Sequence, residues 1–232
     1  MSASEYEKMR RAICSADHRA MRAIVKNPRY DANETGGPDH RTGLHTAVQC
    51  NDTEAIAILM TMKTIDCNKM TSDGTTPLML ASLEVQIEAM EKLLNEPRVD
   101  VQARNHKDKT AENLFPKGIA TQVEKAKSRI LFEVAAQRAK GATPRERNVA
   151  ILVAICNYEE ISGMARLPGT KEDQEEMRKF LKPYYTVYCI NDAKDILAEV
   201  EDVMKTLPEG SVDNLQFLFS GDFRIIQTIY FF

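Results

Sequence analysis

The 232-residue chain is predicted to combine two classes, α followed by α/β: a helical solenoid, then an incomplete α/β domain with a parallel sheet. Three observations predict it. Thr42, Thr76 and Thr110 recur every 34 residues, and so do the pairs Leu44/Leu78, Ala47/Ala81, Leu59/Leu93 and Asp66/Asp100. A basic stretch holding Gly141 and Pro144 then breaks the pattern. Beyond it, apolar runs of strand length alternate with helical stripes.

The clearest copy of the repeat reads Asp73-Gly74-Thr75-Thr76-Pro77-Leu78-Met79-Leu80-Ala81. Asp-Gly makes a tight turn, Thr76 caps a helix, and Pro77 takes the first helical position, where its missing N–H is harmless. The copy before it, Thr42-Gly43-Leu44-His45-Thr46-Ala47, keeps a histidine and lacks the proline, and a third begins at Asp108-Lys109-Thr110-Ala111. This half resembles ankyrin repeats. Two clear repeats span about 36–68 and 69–105, with degenerate units on each side, the first over 6–33 and closing at Asp31-Ala32-Asn33. In that family the His45 position braces the turn by hydrogen bonding. Each unit has an apolar face that only a neighbour can cover.

Ile119, Val123, Ala126, Ile130 and Val134 step by three or four, predicting a helix over 119–139 that caps the stack. The first domain is therefore 1–139, the linker 140–147 and the second domain 148–222, with a divergent apolar tail at 223–232. In the second domain Val149–Ile155 reads as a buried parallel strand. A helix follows from Thr170, with Met177, Phe180 and Leu181 on its buried face. Tyr185–Ile190 is a second strand. Asp192 caps a second helix with the stripe Ile196, Val200, Val203, Met204 and Leu207, and Leu215–Phe219 is a third strand. Parallel strands joined through helices need crossover connections.

Asn148–Tyr158, Leu167-Pro168-Gly169-Thr170-Lys171-Glu172-Asp173 and Phe217-Leu218-Phe219-Ser220-Gly221 are similar to three successive landmarks of the caspase and metacaspase superfamily of cysteine peptidases. The resemblance covers about 147–222. It implies a third strand followed by a catalytic histidine and an oxyanion-hole glycine, with a nucleophilic cysteine about 50 residues later. Here Asp222 stands at the histidine position and Phe223 at the glycine position. An aspartate, with a reference pKa of about 3.9, cannot replace an imidazole near neutral pH. The sequence given ends ten residues after Asp222, before the expected cysteine, and Cys156 and Cys189 do not match its motif. No catalytic residue is therefore assigned. Arg166 and Asp173 are the candidate substrate-binding residues; the resemblance puts the arginine at Leu167, one step after Arg166, and helix capping also accounts for Asp173. The tail, FRIIQTIYFF, departs from the family and reads as a change of exon or frame.

The function this implies is an ankyrin protein-interaction module carrying the N-terminal part of a caspase-family cysteine endopeptidase domain. That domain is expected to be proteolytically inactive, a pseudoenzyme acting as decoy or regulator. The alternative is a truncated product of an active ankyrin–caspase cysteine-type endopeptidase gene, acting in proteolysis or in cell-death or immune signalling. The expected partners are a protein on the ankyrin surface and a caspase-like domain.

Composition fits these expectations. A net charge of −3 marks the chain as neither a nucleic-acid nor a membrane binder. No apolar run reaches the roughly 18 residues of a membrane span, and the N-terminus has no signal-peptide core. Five scattered cysteines without a C-x-x-C pair point to reduced thiols and a cytoplasmic location. The four histidines show no metal-ligand spacing to them, so neither a metal nor a cofactor is expected.

Overall fold

The computed structural model describes residues 4–116, 118–139, 148–154, 170–191, 200, 202–203, 205–207, 214–219 and 225–229. They fall into two compact units that divide after Ala120.

The first unit is built from α1 (Glu5–Cys14), α2 (His18–Ile24), α3 (Gly43–Gln49), α4 (Thr53–Met60), α5 (Pro77–Leu83), α6 (Ile87–Leu94) and α7 (Ala111–Leu114). Helices this short are marginal alone, so packing must hold them. They pair as α1/α2, α3/α4 and α5/α6. First helices stack in one row, α1–α3–α5–α7, and second helices in another, α2–α4–α6. Between the rows Met9, Ile13, Met21, Leu44, Ile56, Leu59, Leu78, Met79, Met90 and Leu93 are fully buried.

The period-34 threonines are the caps of the first helices. Oγ1 of Thr42, Thr76 and Thr110 accepts the backbone N–H of His45, Met79 and Asn113 respectively, at 3.4, 3.3 and 3.3 Å. The same three residues return the bond. Thr42 N–H donates to Nδ1 of His45, Thr76 N–H to Sδ of Met79 and Thr110 N–H to Oδ1 of Asn113. Three unlike side chains thus fill one capping-box role, satisfying donors that a helix start leaves free.

A second ladder joins repeat to repeat. Asn33 donates from Nδ2 to the Thr64 carbonyl at 2.9 Å and accepts from the Asp66 N–H at 2.7 Å. Asn68 does the same to Arg98 and Asp100, at 2.8 and 2.7 Å. At the turn, Gly74 has φ +81°, and a Cβ there would meet the His106 backbone nitrogen at 2.7 Å. A side chain is excluded on both counts.

The second unit holds α8 (Gln122–Ala139), β1 (Asn148–Ala154), α9 (Thr170–Leu181), β2 (Thr186–Asn191), β3 (Asn214–Phe219) and β4 (Ile225–Ile229). The sheet order is β2-β1-β3-β4. β1 is parallel to both neighbours, with Ile151 opposite Tyr188 and Phe217. β4, formed by the divergent tail, runs antiparallel to β3. The tail therefore adds a strand and covers an edge that β3 would otherwise leave open.

Two details differ from the sequence expectation. The long helix starts at Gln122, not 119: Pro116 carries a turn that accepts from Ile119 N–H and Ala120 N–H, and Thr121 and Glu124 then form the cap. Ile119 is 86% exposed. The helix falls within the second unit, where it packs on α9. Nζ of Lys127 lies 2.5 Å from Glu176 and 5.4 Å from the centre of the Phe180 ring, and Arg138 lies over Tyr184.

Candidate functional site: the groove of the repeat stack

Two adjoining recesses run along the row of first helices. One, of about 390 Å³, is lined by Tyr6, Glu7, Arg10 and Cys14 of α1, by Thr46 and Gln49 of α3 with Cys50 at its end, and by the turn 36–41. The second, of about 270 Å³, lies between that turn, the next turn at 71–75, and Leu80 and Leu83 of α5. Asp39 and Arg41 line both, so the two form one groove.

The turns that wall the groove are held by backbone pairing. Gly36 and Arg41 exchange N–H···O bonds at 2.9 and 3.1 Å, and Thr71 N–H donates to Thr75 at 3.0 Å. Ser72 N–H donates to the Asp39 carbonyl at 3.0 Å, joining one turn to the next. Gly36 lies flat against Tyr6, whose ring a Cβ would strike at 2.0 Å.

The groove carries both signs of charge. Arg41 bonds Oε1 of Gln49 at 2.6 Å and lies 3.2 Å from Asp39. Glu7 holds Arg10 at 2.7 Å and Arg11 at 3.4 Å, and the bond from Arg10 lowers the Glu7 carboxyl to about 2. Asp73 is lowered by its bond from the Thr71 hydroxyl. Apolar surface adjoins these charges: Leu83 is 42% exposed. A surface of exposed aliphatic carbon among oriented donors and acceptors suits a polypeptide.

His45 stands behind this surface and not on it. Its ring is fully buried, with Nε2 3.1 Å from the Thr75 carbonyl and Nδ1 2.9 Å from Oγ1 of Thr42. Burial lowers its pKa to about 4, so the ring is neutral and Nε2 carries the proton that Thr75 accepts. Its role is the bracing expected from the sequence.

The peptidase-type positions are placed differently. Arg166, Asp222, Phe223 and Cys156 lie outside the described residues. Asp173 falls within α9, with its side chain outside the described set. Cys189 is on β2, and burial raises its thiol. Sequence reasoning missed Asn33 and Asn68 as inter-repeat links. The signal was there, in Asp31-Ala32-Asn33 and Asp66-Cys67-Asn68.

Paired helices stacked in two rows, with turns walling a groove, define a repeat solenoid whose first-helix side is open for binding. Residues 9–105 match the family model of ankyrin repeats, in three copies. The match begins within α1 and takes in α2, a region the sequence alone marks only as a degenerate unit. Ankyrin repeats indicate a protein-interaction module. No curated protein matches the chain. Among the described residues no helix is long and apolar enough to cross a membrane.

Proposed function

We propose that the chain binds a protein partner through the groove lined by α1, α3, α5 and the turns at 36–41 and 71–75. The observation that carries this is the continuity of the two recesses through Asp39 and Arg41. The test is affinity capture with three baits: the full chain, a groove variant (Arg10→Glu with Gln49→Arg) and a variant on α6 (Glu88→Lys). A partner retained by the first and third and lost by the second supports the groove. Equal loss with Glu88→Lys contradicts it.

The second half of the proposal concerns residues 148–222, read as the N-terminal part of a caspase-family domain, joined to the repeats through 140–147. It rests on the landmarks ending at Asp173 and Gly221 and is supported by three parallel strands in the expected positions. In this reading the domain does no peptide hydrolysis, because Asp222 and Phe223 occupy the positions of the base and the oxyanion glycine. It acts in the cytoplasm as a decoy or regulator for a caspase-like partner. Binding of 232-residue chain to an active caspase-family enzyme, read as altered turnover of a fluorogenic peptide, tests the regulatory role. Unchanged turnover at saturating chain would remove it.

A further inference from the structure

We propose that Cys14 and Cys50 form a dithiol site that closes to a disulfide across the first two repeats on meeting a hydroperoxide. Cys14 is the last residue of α1 and Cys50 caps α3, and those two helices are neighbours in the first-helix row. Both side chains are exposed and both line the same recess, where the Cys14 thiol acts electrostatically on that of Cys50. An open recess leaves each sulfur free to turn toward the other, to the covalent separation of about 2.05 Å. Elsewhere Cys67 is buried and Cys189 lies in the second unit.

The surroundings of the two thiols differ, and the difference sets the order of events. Arg10, one turn back on α1, lines the recess beside Cys14. Cys50 is raised by burial first, then by Cys14 and by the Asp52 carboxylate. Cys14 is therefore the attacking thiol and Cys50 the resolving one. The Cys14 thiolate attacks one oxygen of the hydroperoxide and the O–O bond breaks. The departing oxygen takes a proton and leaves as alcohol or water, and Cys14 becomes a sulfenic acid. Cys50, as its thiolate, attacks the Cys14 sulfur. The S–O bond breaks, and the leaving hydroxide takes a proton to become water. Two thiols and one hydroperoxide thus yield one disulfide, one alcohol and one water, with two electrons passing from sulfur to the peroxide.

The test treats the full chain with hydrogen peroxide, blocks remaining thiols with iodoacetamide and maps peptides without reductant. Trypsin separates the three cysteines of the repeats into residues 12–19, 42–63 and 64–69. The expected product is a monomer about 2 Da lighter, with the peptides of Cys14 and Cys50 joined and released by dithiothreitol. In Cys50→Ser, dimedone should trap the sulfenic acid at Cys14. Three results would overturn the proposal: both thiols alkylated as in the untreated chain, either one bridged to Cys189 or to a second chain, or Cys14→Ser leaving Cys50 to oxidise at the original rate.

Discussion

The imidazole of His45 ties its own repeat to the next: its Nε2 lies 3.1 Å from the carbonyl oxygen of Thr75. The bond needs the neutral ring. Nδ1 already faces the Thr42 N–H, at 3.3 Å, so a second ring proton would set donor against donor.

A pH dependence follows. The folded state holds His45 at about 4, below the ordinary 6.5, so the unfolded state binds more protons between those values. The stability is full above about 6.5 and is lost as pH falls toward about 4, by up to about 3 kcal/mol. Urea melts of the chain at pH 7 and pH 4.5 should show it. His45→Asn keeps a capping acceptor, as Asn113 does, but loses the titration. The variant should be weaker at pH 7 and should lack this share of the acid loss.

Asn33 and Asn68 each close one inter-repeat link, and both links are solvent-accessible. Water can replace part of what an alanine removes, so Asn33→Ala and Asn68→Ala should each cost about 1 kcal/mol. Asp66 touches both, giving its N–H to Asn33 and accepting the Asn68 N–H on its carboxylate at 2.9 Å, so the two effects should couple rather than simply add. Gln102 occupies the matching place after Asp100, where, among the described residues, its backbone N–H bonds Asp100 and its side chain makes no link to a neighbouring repeat. Gln102→Ala should be nearly silent. Denaturant midpoints of the four proteins check the pattern.

Gly74→Ala meets both a left-handed backbone and the His106 nitrogen. The expected loss is about 1–3 kcal/mol, with the damage centred on the turns at 71–75 and 105–109. Hydrogen exchange should report faster exchange at Thr75 and Asn105 than in the parent.

Much of the first unit was legible because its signals are local. Thr42, Thr76 and Thr110 cap helices within three residues of themselves, and Pro77 fixes its own φ. The Asn33 and Asn68 links were not legible as bonds, because their partners lie 30 to 33 residues away. The start of α8 was misread because apolar spacing reaches back to Ile119, while the turn at Pro116 decides where the helix begins. Three strands were placed within one residue of their observed ends. The fourth was only foreshadowed by the β-branched run in the tail, since its pairing with β3 is a tertiary choice.

On the peptidase reading, the 232-residue chain should cleave neither acidic-site nor basic-site peptides above background. Asp222→His should not restore turnover, because Phe223 still fills the oxyanion glycine position and losses within such a unit are not additive. Turnover abolished by alkylating Cys156 or Cys189 would show that one of those thiols is a nucleophile.

The central claim is that the repeats stand as a folded module in their own right, and a fragment of residues 1–120 tests it most directly. Its core closes between two helix rows and its contacts cluster within that range. Circular dichroism should give a helical spectrum and a single cooperative melt, near that of the same transition in the full chain. A fragment that is disordered, or that melts without cooperativity, would contradict the account.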